Sequence, residues 1–502
     1  MPDSAISSKT ERLAVAAMFL AAAVLIALAM RKPLWNNEFI TLDTLRLSYS
    51  GAFHERLGKN HMPGYFLLLK AWTDIAGTSE LAMRFLSGLC GLGAVALAWG
   101  LGRWAWGARA GLAAGWIAAV NQYILESSSQ ARMYSALEFF VLLSMLLYLL
   151  ALRGERRAWI GHFLTSLAAL SFHLLFGMAL LVQALHSLAL RRRIQARLWK
   201  VWALLLAPWA VISPLLIYWL RMQYFVGQDA WKKPSMGNWL RHWLRCFWGE
   251  FDYDPWNKDY SRAIGVPLML LALAYLAVAI WRAAPRLRQA GAAGKDALLV
   301  SLLPWWFLVP ALAVYASAAR TADALNSLRY YTAALACAPL ICAAAWREMR
   351  PLWLRRIFLA GAIGLSAWYS IGFTIFPGSG LRQAVAYLAE HMAPGDAVVM
   401  VDKGPQTLAF AYYNHPEIVP AGLSSSEDDS KTIMRIANEA AAGAGTLWAL
   451  LHHEHNSPLV ALLSRAGSGY KRQGAGVQFG ESRIYRFEVE PRPSAIPAAR
   501  ED

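Results

Sequence analysis

An acidic residue directly after the first apolar segment of the chain could perform acid–base chemistry. The sequence Leu34-Trp35-Asn36-Asn37-Glu38-Phe39 follows an apolar run that ends near Met30. At that position the Glu38 carboxylate would lie at a membrane surface, where it could act as general base on a hydroxyl within hydrogen-bond distance. The alternative interpretation of Glu38 is an ordinary exposed glutamate in a loop.

Three arginines near the ends of apolar segments could bind an anion. Arg84 opens one such segment, Arg132 lies in Gln130-Ala131-Arg132-Met133-Tyr134, and Arg329 lies in Asn326-Ser327-Leu328-Arg329-Tyr330-Tyr331. A guanidinium group binds a phosphate through two parallel hydrogen bonds. A single arginine at such a position is also explained by snorkelling of its charged end towards water.

Other polar residues stand within or between apolar segments. Glu138 falls inside one of them, and because an intramembrane carboxylate is costly, it is either a functional residue or half of a structural ion pair with an arginine. His173 is either a buried hydrogen-bonded histidine or a site residue. His61, in the turn sequence His61-Met62-Pro63-Gly64-Tyr65, has no chemistry specific to that sequence.

The composition indicates that membrane helices must position these residues. The chain of 502 residues is 57% hydrophobic and only 16% charged, whereas soluble domains carry about 25% charged residues. The net charge of +16 would also suit nucleic-acid binding, but the lysines and arginines stand in short segments between apolar runs. Membrane topology explains that distribution, so nucleic acid is not an expected partner.

The apolar runs are long enough to cross a bilayer as helices, which requires about 18 or more apolar residues. We expect an all-α polytopic bundle of about eleven transmembrane helices in residues 1–376. The expected spans are 13–30, 83–104, 110–125, 133–152, 158–173, 174–190, 201–220, 263–281, 297–318, 328–346 and 357–376. The first span has a rival interpretation as a signal peptide, although its apolar core is longer than usual for one.

Basic residues orient this bundle. With the N-terminus in the cytoplasm, every short connection on the cytoplasmic side is basic, whereas the opposite loops are longer and mixed in charge. We therefore expect a multi-pass protein of the inner (plasma) membrane. The residues that this topology brings to the extracytoplasmic face are Glu38, His61, Arg84, Arg132, His173 and Arg329. A cationic cluster beside a base suits the departure of a lipid phosphate.

Two extracytoplasmic loops and a C-terminal domain complete the expected organisation. Loop 31–82 contains an apolar piece at 65–72 that predicts an interfacial amphipathic helix, and loop 221–262 is rich in tryptophan, which favours the membrane surface. Residues 377–490 predict a small extracytoplasmic α/β domain, with a helix at 381–391 and strands at 397–401, 446–451 and 483–487. The tail 491–502 is expected to be disordered.

The sequence requires no metal or other cofactor. Glu250-Phe251-Asp252-Tyr253-Asp254 and His452-His453-Glu454-His455 contain possible ligands. Neither spacing is diagnostic of a metal site, and a solvated surface is the preferred interpretation of each. A divalent cation is therefore compatible with the sequence but not supported by it.

Taken in order, these residues resemble the GT-C superfamily of membrane glycosyltransferases. The likeness is to the protein O-mannosyltransferase, lipid A aminoarabinose transferase and lipopolysaccharide-core galacturonosyltransferase type, and it covers about residues 10–380. The elements that carry it are Trp35-Asn36-Asn37-Glu38, His61-Met62-Pro63-Gly64-Tyr65, Arg84-Phe85-Leu86-Ser87, Gln130-Ala131-Arg132-Met133-Tyr134, His173 and Arg329-Tyr330.

The resemblance implies an inverting transfer of a hexose or pentose from a polyprenyl-phosphate carrier, with an acidic residue of the first loop as base. The implied acceptor is a glycolipid, polysaccharide or protein of the cell envelope. Asn37 stands where the family usually has the aspartate taken as base, Met62 replaces a proline, and Gln130 replaces a glutamate. Either Glu38 or Asp43 has then assumed the role of base, or the chemistry of this member is altered.

The site residues expected on these grounds fall into three groups. Glu38 is the expected base, with Asp43 as the alternative. Arg84, Arg132 and Arg329 are expected to bind the donor phosphate. The expected substrate-binding residues are Asn37, His61, Tyr65, Lys70, Tyr134, Glu138, His173 and Tyr330.

Two other functions compete with glycosyl transfer. A transporter or flippase for lipid-linked saccharides would explain the spans and the intramembrane charge. Many transporters consist of repeated halves, and the sequence shows no internal repeat. A ligase that moves a whole lipid-linked polysaccharide is hardly distinguished from a glycosyltransferase by sequence.

Overall fold

A computed structural model describes most of the chain. The described residues are 8–59, 61–194, 198–223, 236, 237, 239, 243, 247, 248, 258–288, 294–317, 328–376, 378–402, 407–424, 429–452 and 457–490. They form two compact units. The helical unit comprises Met1–Arg31 and Leu47–Ile375, and the α/β unit comprises Lys32–Arg46 and Phe376–Asp502.

Helices account for nearly all of the regular structure in the helical unit. In chain order, with α2 belonging to the α/β unit, the helices up to the middle of the chain are α1 Ser8–Ala29, α2 Asn36–Leu45, α3 Tyr49–Gly58, α4 Gly64–Ala76, α5 Glu80–Trp106, α6 Ala108–Ala119, α7 Gln122–Ser128, α8 Tyr134–Leu152, α9 Arg156–Phe172, α10 Gly177–Ala189, α11 Arg191–Ile194 and α12 Leu198–Gln223. Those that follow in this unit are α13 Lys258–Arg288, α14 Lys295–Ser317, α15 Thr332–Leu335, α16 Ala338–Glu348 and α17 Leu352–Ile375.

Seven of the described helices are long and apolar enough to cross a membrane. They are α1, α5, α8, α12, α13, α14 and α17. The other four predicted spans correspond to shorter helices, because α6 has 12 residues, α9 has 17, α10 has 13 and α16 has 11. The predicted span 328–346 is divided into the 3-10 turn Leu328–Tyr331, α15 and α16. The expected multi-span helical fold is confirmed, whereas the count of eleven stays a prediction.

The two long loops differ in structure from simple connections. The amphipathic piece expected at 65–72 is part of α4, and α2 and α3 are two further helices of loop 31–82 that the sequence interpretation missed. In loop 221–262, Trp239, Trp243 and Trp248 are buried, with Trp239 and Trp243 stacked at 5.5 Å and Trp243 against Phe307 of α14. These three tryptophans pack inside protein instead of facing a membrane surface. The rest of the loop lies largely outside the described residues.

A buried polar network joins four helices in the interior of the helical unit. Gln183 of α10 accepts a hydrogen bond from His162 of α9 at 2.8 Å and donates one to Ser144 of α8 at 2.8 Å. One turn further along α10, His186 is hydrogen-bonded to Ser301 of α14 at 2.9 Å. These side chains therefore provide hydrogen-bond partners for one another, which buried polar groups need because water does not reach them.

The α/β unit contains the domain predicted at 377–490. Its helices after α17 are α18 Leu381–His391, α19 Leu408–Tyr412, α20 Ser430–Ala440 and α21 Pro458–Leu463. Its strands are β1 Ala397–Asp402, β2 Ala421–Ser424, β3 Thr446–His452, β4 Tyr470–Phe479 and β5 Ser482–Val489. The predicted helix and three strands are confirmed as α18, β1, β3 and β5, while β2 and β4 were missed. The tail 491–502 lies outside the described residues.

The sheet of this unit is mixed, with strand order β2-β1-β3-β5-β4. Strand β1 pairs in parallel with β2 and β3, and the hairpin β4–β5 adds two antiparallel strands. The apolar side chains of β1 and β3, among them Val399, Val401, Leu447 and Ala449, form one core with Ile433 of α20. Parallel strands buried on both faces have such continuous apolar sequences.

The α/β unit also holds α2, which carries Glu38. The Leu34 amide donates to the Tyr413 hydroxyl at 3.0 Å, and the Ser379 hydroxyl donates to the Leu34 carbonyl at 2.9 Å. The Phe39 ring makes an edge-to-face contact with that of Tyr412 at 6.2 Å. These contacts attach the segment before and within α2 to the C-terminal part of the chain.

One carboxyl group of the α/β unit should make its stability depend on pH. Burial raises the pKa of Glu481 to about 7, although the Lys32 ammonium opposes the shift. Because the folded-state pKa lies above the ordinary value of 4.5, the stabilising contribution is fully present below that ordinary value. It is lost as the pH rises from there through about 7, where the half-buried group must ionise.

We expect Glu481→Gln to raise the melting temperature of the detergent-solubilised protein at pH 8 and to leave it nearly unchanged at pH 4.5. Melting curves recorded by circular dichroism between these values measure the difference. Glu439→Gln is the control, because Glu439 is an exposed residue paired with Arg435, and it should not alter the pH profile above pH 5. An equal shift for Glu481→Gln at both pH values would contradict the assignment.

Candidate active site

The first predicted phosphate-binding arginine is buried at the start of α5. Ser79 caps this helix by accepting a hydrogen bond from the Ala82 amide, and Arg84 follows in the second turn with only 2% of its surface exposed. Its Nη1 atom donates to the Met30 carbonyl at 2.7 Å, just after the end of α1. Carbonyls at a helix C-terminus lack intrahelical donors. Arg84 therefore lies inside the protein and does not extend towards water.

A chain of hydroxyl groups positions the second arginine. The Ser87 hydroxyl donates its single hydrogen to the Arg132 carbonyl at 3.2 Å. The Tyr65 hydroxyl lies 2.8 Å from Ser87 Oγ and is therefore the donor in the hydrogen bond between them. The Ser135 hydroxyl in turn donates to the Ser87 carbonyl at 2.7 Å. Helices α4, α5 and α8 thus meet at the backbone of Arg132, immediately before α8 begins. Ser87 and Tyr65 belong to two different sequence elements of the predicted site.

The Arg132 side chain lies beside an aromatic ring with a second buried arginine. The Arg132 guanidinium carbon is 5.5 Å from the centroid of the Phe66 ring, and that of Arg56 is 4.9 Å from the same centroid. The His61 ring centroid lies 6.0 Å from that of Phe66. Arg132 is 3% exposed and Arg56 is fully buried. Cations at these distances are attracted by the ring's negative face.

Sequence interpretation missed Arg56, although a signal for it exists. Ala52 and Arg56 are separated by one helical turn in α3, and both are buried. Residues four apart share a helix face, so an arginine on the apolar face of this short helix could have been identified as buried had the helix itself been predicted.

His173 and Tyr134 also come together. The Leu175 amide donates to His173 Nδ1 at 3.1 Å, which caps the 3-10 turn Leu174–Phe176. A neutral imidazole that accepts at Nδ1 carries its proton on Nε2. The His173 ring, half-buried, is 5.7 Å from that of the buried Tyr134 at the start of α8. His173 therefore has the hydrogen bond expected of a structural histidine and stays a candidate donor through Nε2.

Glu138 is buried in the first turns of α8, one of the candidate membrane-spanning helices. The Ser127 hydroxyl lies 3.5 Å from Glu138 Oε2. Within the part of the chain that the structure describes, no arginine or lysine forms an ion pair with Glu138. The structural ion pair considered from sequence therefore has no partner among those residues, and a role in the site stays a prediction.

Lys70 has a structural partner. Its ammonium lies 3.2 Å from an Asp74 carboxylate oxygen, and Tyr49 of α3 donates to the other oxygen of Asp74 at 2.7 Å. These bonds join α3 to α4. Of the remaining predicted residues, Tyr330 is half-buried in the 3-10 turn Leu328–Tyr331, whereas the side chain of Arg329 lies outside the described part.

The predicted base lies on α2, in the α/β unit. Glu38 is fully buried, and its Oε2 atom accepts a hydrogen bond from the Trp35 amide at 3.3 Å, as in a capping box. Asn37 is half-buried, and its main-chain carbonyl accepts a hydrogen bond from the Thr41 hydroxyl at 3.1 Å. Asp43 follows Glu38 by five residues, about 140° around the helix. The two candidate carboxylates therefore point in different directions from α2.

Two polar atoms beside Glu38 are buried without hydrogen bonds. They are Nε1 of Trp35 and Oδ1 of Asn36, neither of which has a partner in the described chain. A buried polar group without a partner costs about 1–3 kcal/mol. One is a donor and the other an acceptor, so a ligand with hydroxyl groups could satisfy both.

Most of the possible metal ligands lie outside the described residues. Among the described residues, no three His, Cys, Asp or Glu side chains are grouped as metal ligands. His452 is fully buried and hydrogen-bonded to Ser482 at 2.8 Å, so its interpretation as a solvated surface residue was wrong. His453, Glu454, His455 and the acidic cluster 250–254 lie outside the described residues.

Part of the chain matches a known protein family. Residues 60–219, which include His61, Tyr65, Arg84, Arg132 and His173, match the family described as dolichyl-phosphate-mannose-protein mannosyltransferase. The match covers less than half of the chain. No curated protein sequence matches significantly.

Several solved structures are similar to this chain. ArnT from Cupriavidus metallidurans in the apo state has a TM-score of 0.50 at 13% identity, over 94% of this chain and 97% of that one. ArnT bound to undecaprenyl phosphate scores 0.46 at 13% identity, over 96% and 98% of the chains. The Archaeoglobus fulgidus oligosaccharyltransferase scores 0.49 at 13% identity, over 93% and 72%.

The resemblance predicted from the sequence motifs is confirmed. The chain has a fold similar to that of ArnT, and seven of its described helices are long and apolar enough to cross a membrane.

The contact of α4 with α9 gives a test of how the His61–Tyr65 turn is built. A Cβ at Gly64 would lie 2.7 Å from the Ser171 carbonyl oxygen, whereas a Cβ at Gly58 would meet nothing within 4 Å. We expect Gly64→Ala to destabilise the protein by about 1–3 kcal/mol and to reduce activity, because α4 carries Tyr65 and Phe66. Gly58→Ala should be neutral or slightly stabilising.

Thermal melts of the two variants in detergent, with activity measured in parallel, make this comparison. Equal melting temperatures for Gly64→Ala and Gly58→Ala would show that the close approach of α4 to Ser171 is not required.

Proposed function

We propose that this protein is an inverting glycosyltransferase that moves a hexose or pentose from a polyprenyl-phosphate donor to an acceptor of the cell envelope. The acceptor is a hydroxyl of a glycolipid, polysaccharide or protein on the extracytoplasmic face of the inner membrane. The observation that carries this proposal is the burial of Arg132 in the helical unit, with its backbone fixed by Ser87 and its guanidinium group beside Phe66 and Arg56.

Buried cations in an apolar helical unit need a compensating function or partner. Taking a guanidinium group out of water costs several kcal/mol, so its retention in a membrane protein indicates a site for an anion or a path for one. A lipid phosphate is an anion that such a protein meets within the membrane. ArnT from Cupriavidus metallidurans, which shares this fold, has been crystallised with undecaprenyl phosphate.

The proposed reaction needs an anion site and a base. The bond between the anomeric carbon and the phosphate oxygen breaks, and its electron pair stays on the phosphate, where arginines stabilise the added charge. The acceptor hydroxyl oxygen forms the new bond from the opposite side of the sugar ring and loses its proton to the base. Glu38 is the proposed base, and Asp43 is the alternative. We propose that Arg84, Arg132 and Arg329 bind the phosphate.

The other predicted residues are proposed to bind substrate. His61 and His173 can donate hydrogen bonds to sugar or phosphate oxygens, and Tyr134 lies against His173. Glu138, Asn37, Tyr65 and Tyr330 complete the proposed set, with Tyr65 acting through Ser87. Lys70 stays in the set as a residue whose ammonium is engaged by Asp74.

We expect Glu38→Gln to reduce transfer by at least about 100-fold, since general base catalysis contributes about 10²–10⁴-fold. Glutamine fulfils the capping role of Glu38, because its side-chain oxygen can also accept from the Trp35 amide. Folding should therefore survive the change. Activity is measured by mass spectrometry of envelope glycans and lipids in cells that lack the protein and carry the variant.

Asp43→Asn is the matched control and should retain transfer. The reverse result, with Glu38→Gln active and Asp43→Asn inactive, would assign the base to Asp43. Full activity of both variants would exclude a base on α2.

We expect Arg132→Ala to weaken binding of undecaprenyl phosphate by about 10- to 100-fold, the loss of hydrogen bonds to a charged group. Isothermal titration of the detergent-solubilised protein measures the affinity. Arg103→Ala is the control, because Arg103 is half-exposed and paired with Glu11 at 2.7 Å near the other end of α5. Undiminished affinity of the Arg132 variant would remove Arg132 from the phosphate site.

A further inference from the structure

Arg56 is a buried cation with an unsatisfied donor. It lies in the last turn of α3, and its side chain is fully buried. Its Nε and Nη2 atoms donate to the two carboxylate oxygens of Glu55 at 2.6 and 2.5 Å. Its Nη1 atom is buried and has no hydrogen-bond partner in the described chain. A buried donor on a charged group is costly to leave unpaired, so an acceptor from outside the chain would stabilise this arrangement.

The charge around Arg56 favours an anionic acceptor. Glu55 is shared with Lys59, whose ammonium lies 2.7 Å from the same carboxylate. One carboxylate thus serves two cations, and these three side chains carry a net positive charge. A neutral acceptor would satisfy Nη1 but would leave that charge in place.

The position of Arg56 places this donor beside the proposed phosphate site. Arg56 and Arg132 contact the same Phe66 ring, at 4.9 and 5.5 Å from its centroid. The His61 amide donates to the Arg56 carbonyl at 2.9 Å, which fixes the connection between α3 and the His61 turn. Two guanidinium groups from separate elements, α3 and the segment before α8, therefore converge on one ring.

We propose that Arg56 is a phosphate-binding residue, with its Nη1–H donating to an oxygen of the same polyprenyl phosphate that Arg132 binds. This inference rests on the proposed function and adds a residue that belongs to none of the sequence motifs. Glu55 has a positioning role, because it holds the other two nitrogens of Arg56 and leaves Nη1 for the ligand.

Farnesyl phosphate is a suitable probe, with farnesol and inorganic phosphate as the comparison ligands. We expect the full-length protein in detergent to bind farnesyl phosphate more tightly than either. Arg56→Met should weaken that binding by about 10- to 100-fold and should leave the weak binding of farnesol unchanged. Lys59→Gln is the matched control, since Lys59 shares Glu55 but is 54% exposed, and it should change the affinity by less than about twofold.

The outcomes separate this inference from the proposed function. If Arg56→Met binds farnesyl phosphate as the wild type does while Arg132→Ala is weakened, Arg56 is not a ligand and the proposed function stands. If the wild type does not bind farnesyl phosphate, the proposed role of Arg56 and the proposed function are both wrong. If inorganic phosphate binds as tightly as farnesyl phosphate, the site recognises free phosphate and the lipid assignment is wrong.

A second variant keeps the test decisive if Arg56→Met does not fold. Arg56→Lys retains a positive charge beside Glu55 but removes the guanidinium Nη1–H donor. We expect it to weaken binding of farnesyl phosphate by about fivefold or more, the loss of one ordinary hydrogen bond. Unchanged or tighter binding by Arg56→Lys would overturn the proposed role of Arg56.

Discussion

The hydrogen bond from the Ser87 hydroxyl to the Arg132 carbonyl is the contact on which the proposed anion site depends. Backbone groups outside a helix must find partners when they lie in an apolar protein interior, and Arg132 precedes α8, where helical bonding has not yet begun. Ser87 provides that partner, and Tyr65 and Ser135 hold Ser87 in place. Three helices meet at this carbonyl, and the guanidinium group of Arg132 lies beside the Phe66 ring. The site thus follows from satisfying one backbone group.

Much of this arrangement could be predicted from the sequence, because membrane helices and their polar ends have strong patterns. The motif order placed Arg84, Arg132 and His173 in one candidate site, and the structure has Arg84 and Arg132 buried at the ends of α5 and α8. Arg56 could not be identified in the same way, because α3 is only 10 residues long and its apolar face is too short for a clear periodicity. The burial of Trp239 and Trp243 depends on α14, which is distant in sequence, so composition alone suggested a membrane surface instead.

The attachment of α2 to the α/β unit is the feature that local sequence could least reveal. Leu34 and Tyr413 are hydrogen-bonded although they are 379 residues apart in the sequence. No sequence pattern near either residue predicts this contact. The sequence suggested a C-terminal appendage and a separate catalytic loop. In the structure, the segment that bears the proposed base is part of the same compact unit as that appendage. Asn37, where the sequence departs from the family pattern, therefore has to be interpreted together with the C-terminal sequence of the same unit.

The buried network of Ser144, His162, Gln183 and His186 has a consequence for biogenesis. Helix α10 has only 13 residues and carries both Gln183 and His186, which would lie unsatisfied if this helix entered lipid alone. The hydrogen-bond partner of His186 is Ser301 on α14, which is more than a hundred residues further along the chain. Ser301 is therefore synthesised much later than α10. The nascent chain must therefore keep α10 shielded, by α8 and α9 or by the insertion machinery, until α14 arrives. Release into the bilayer is thus expected to occur in groups of helices rather than one helix at a time.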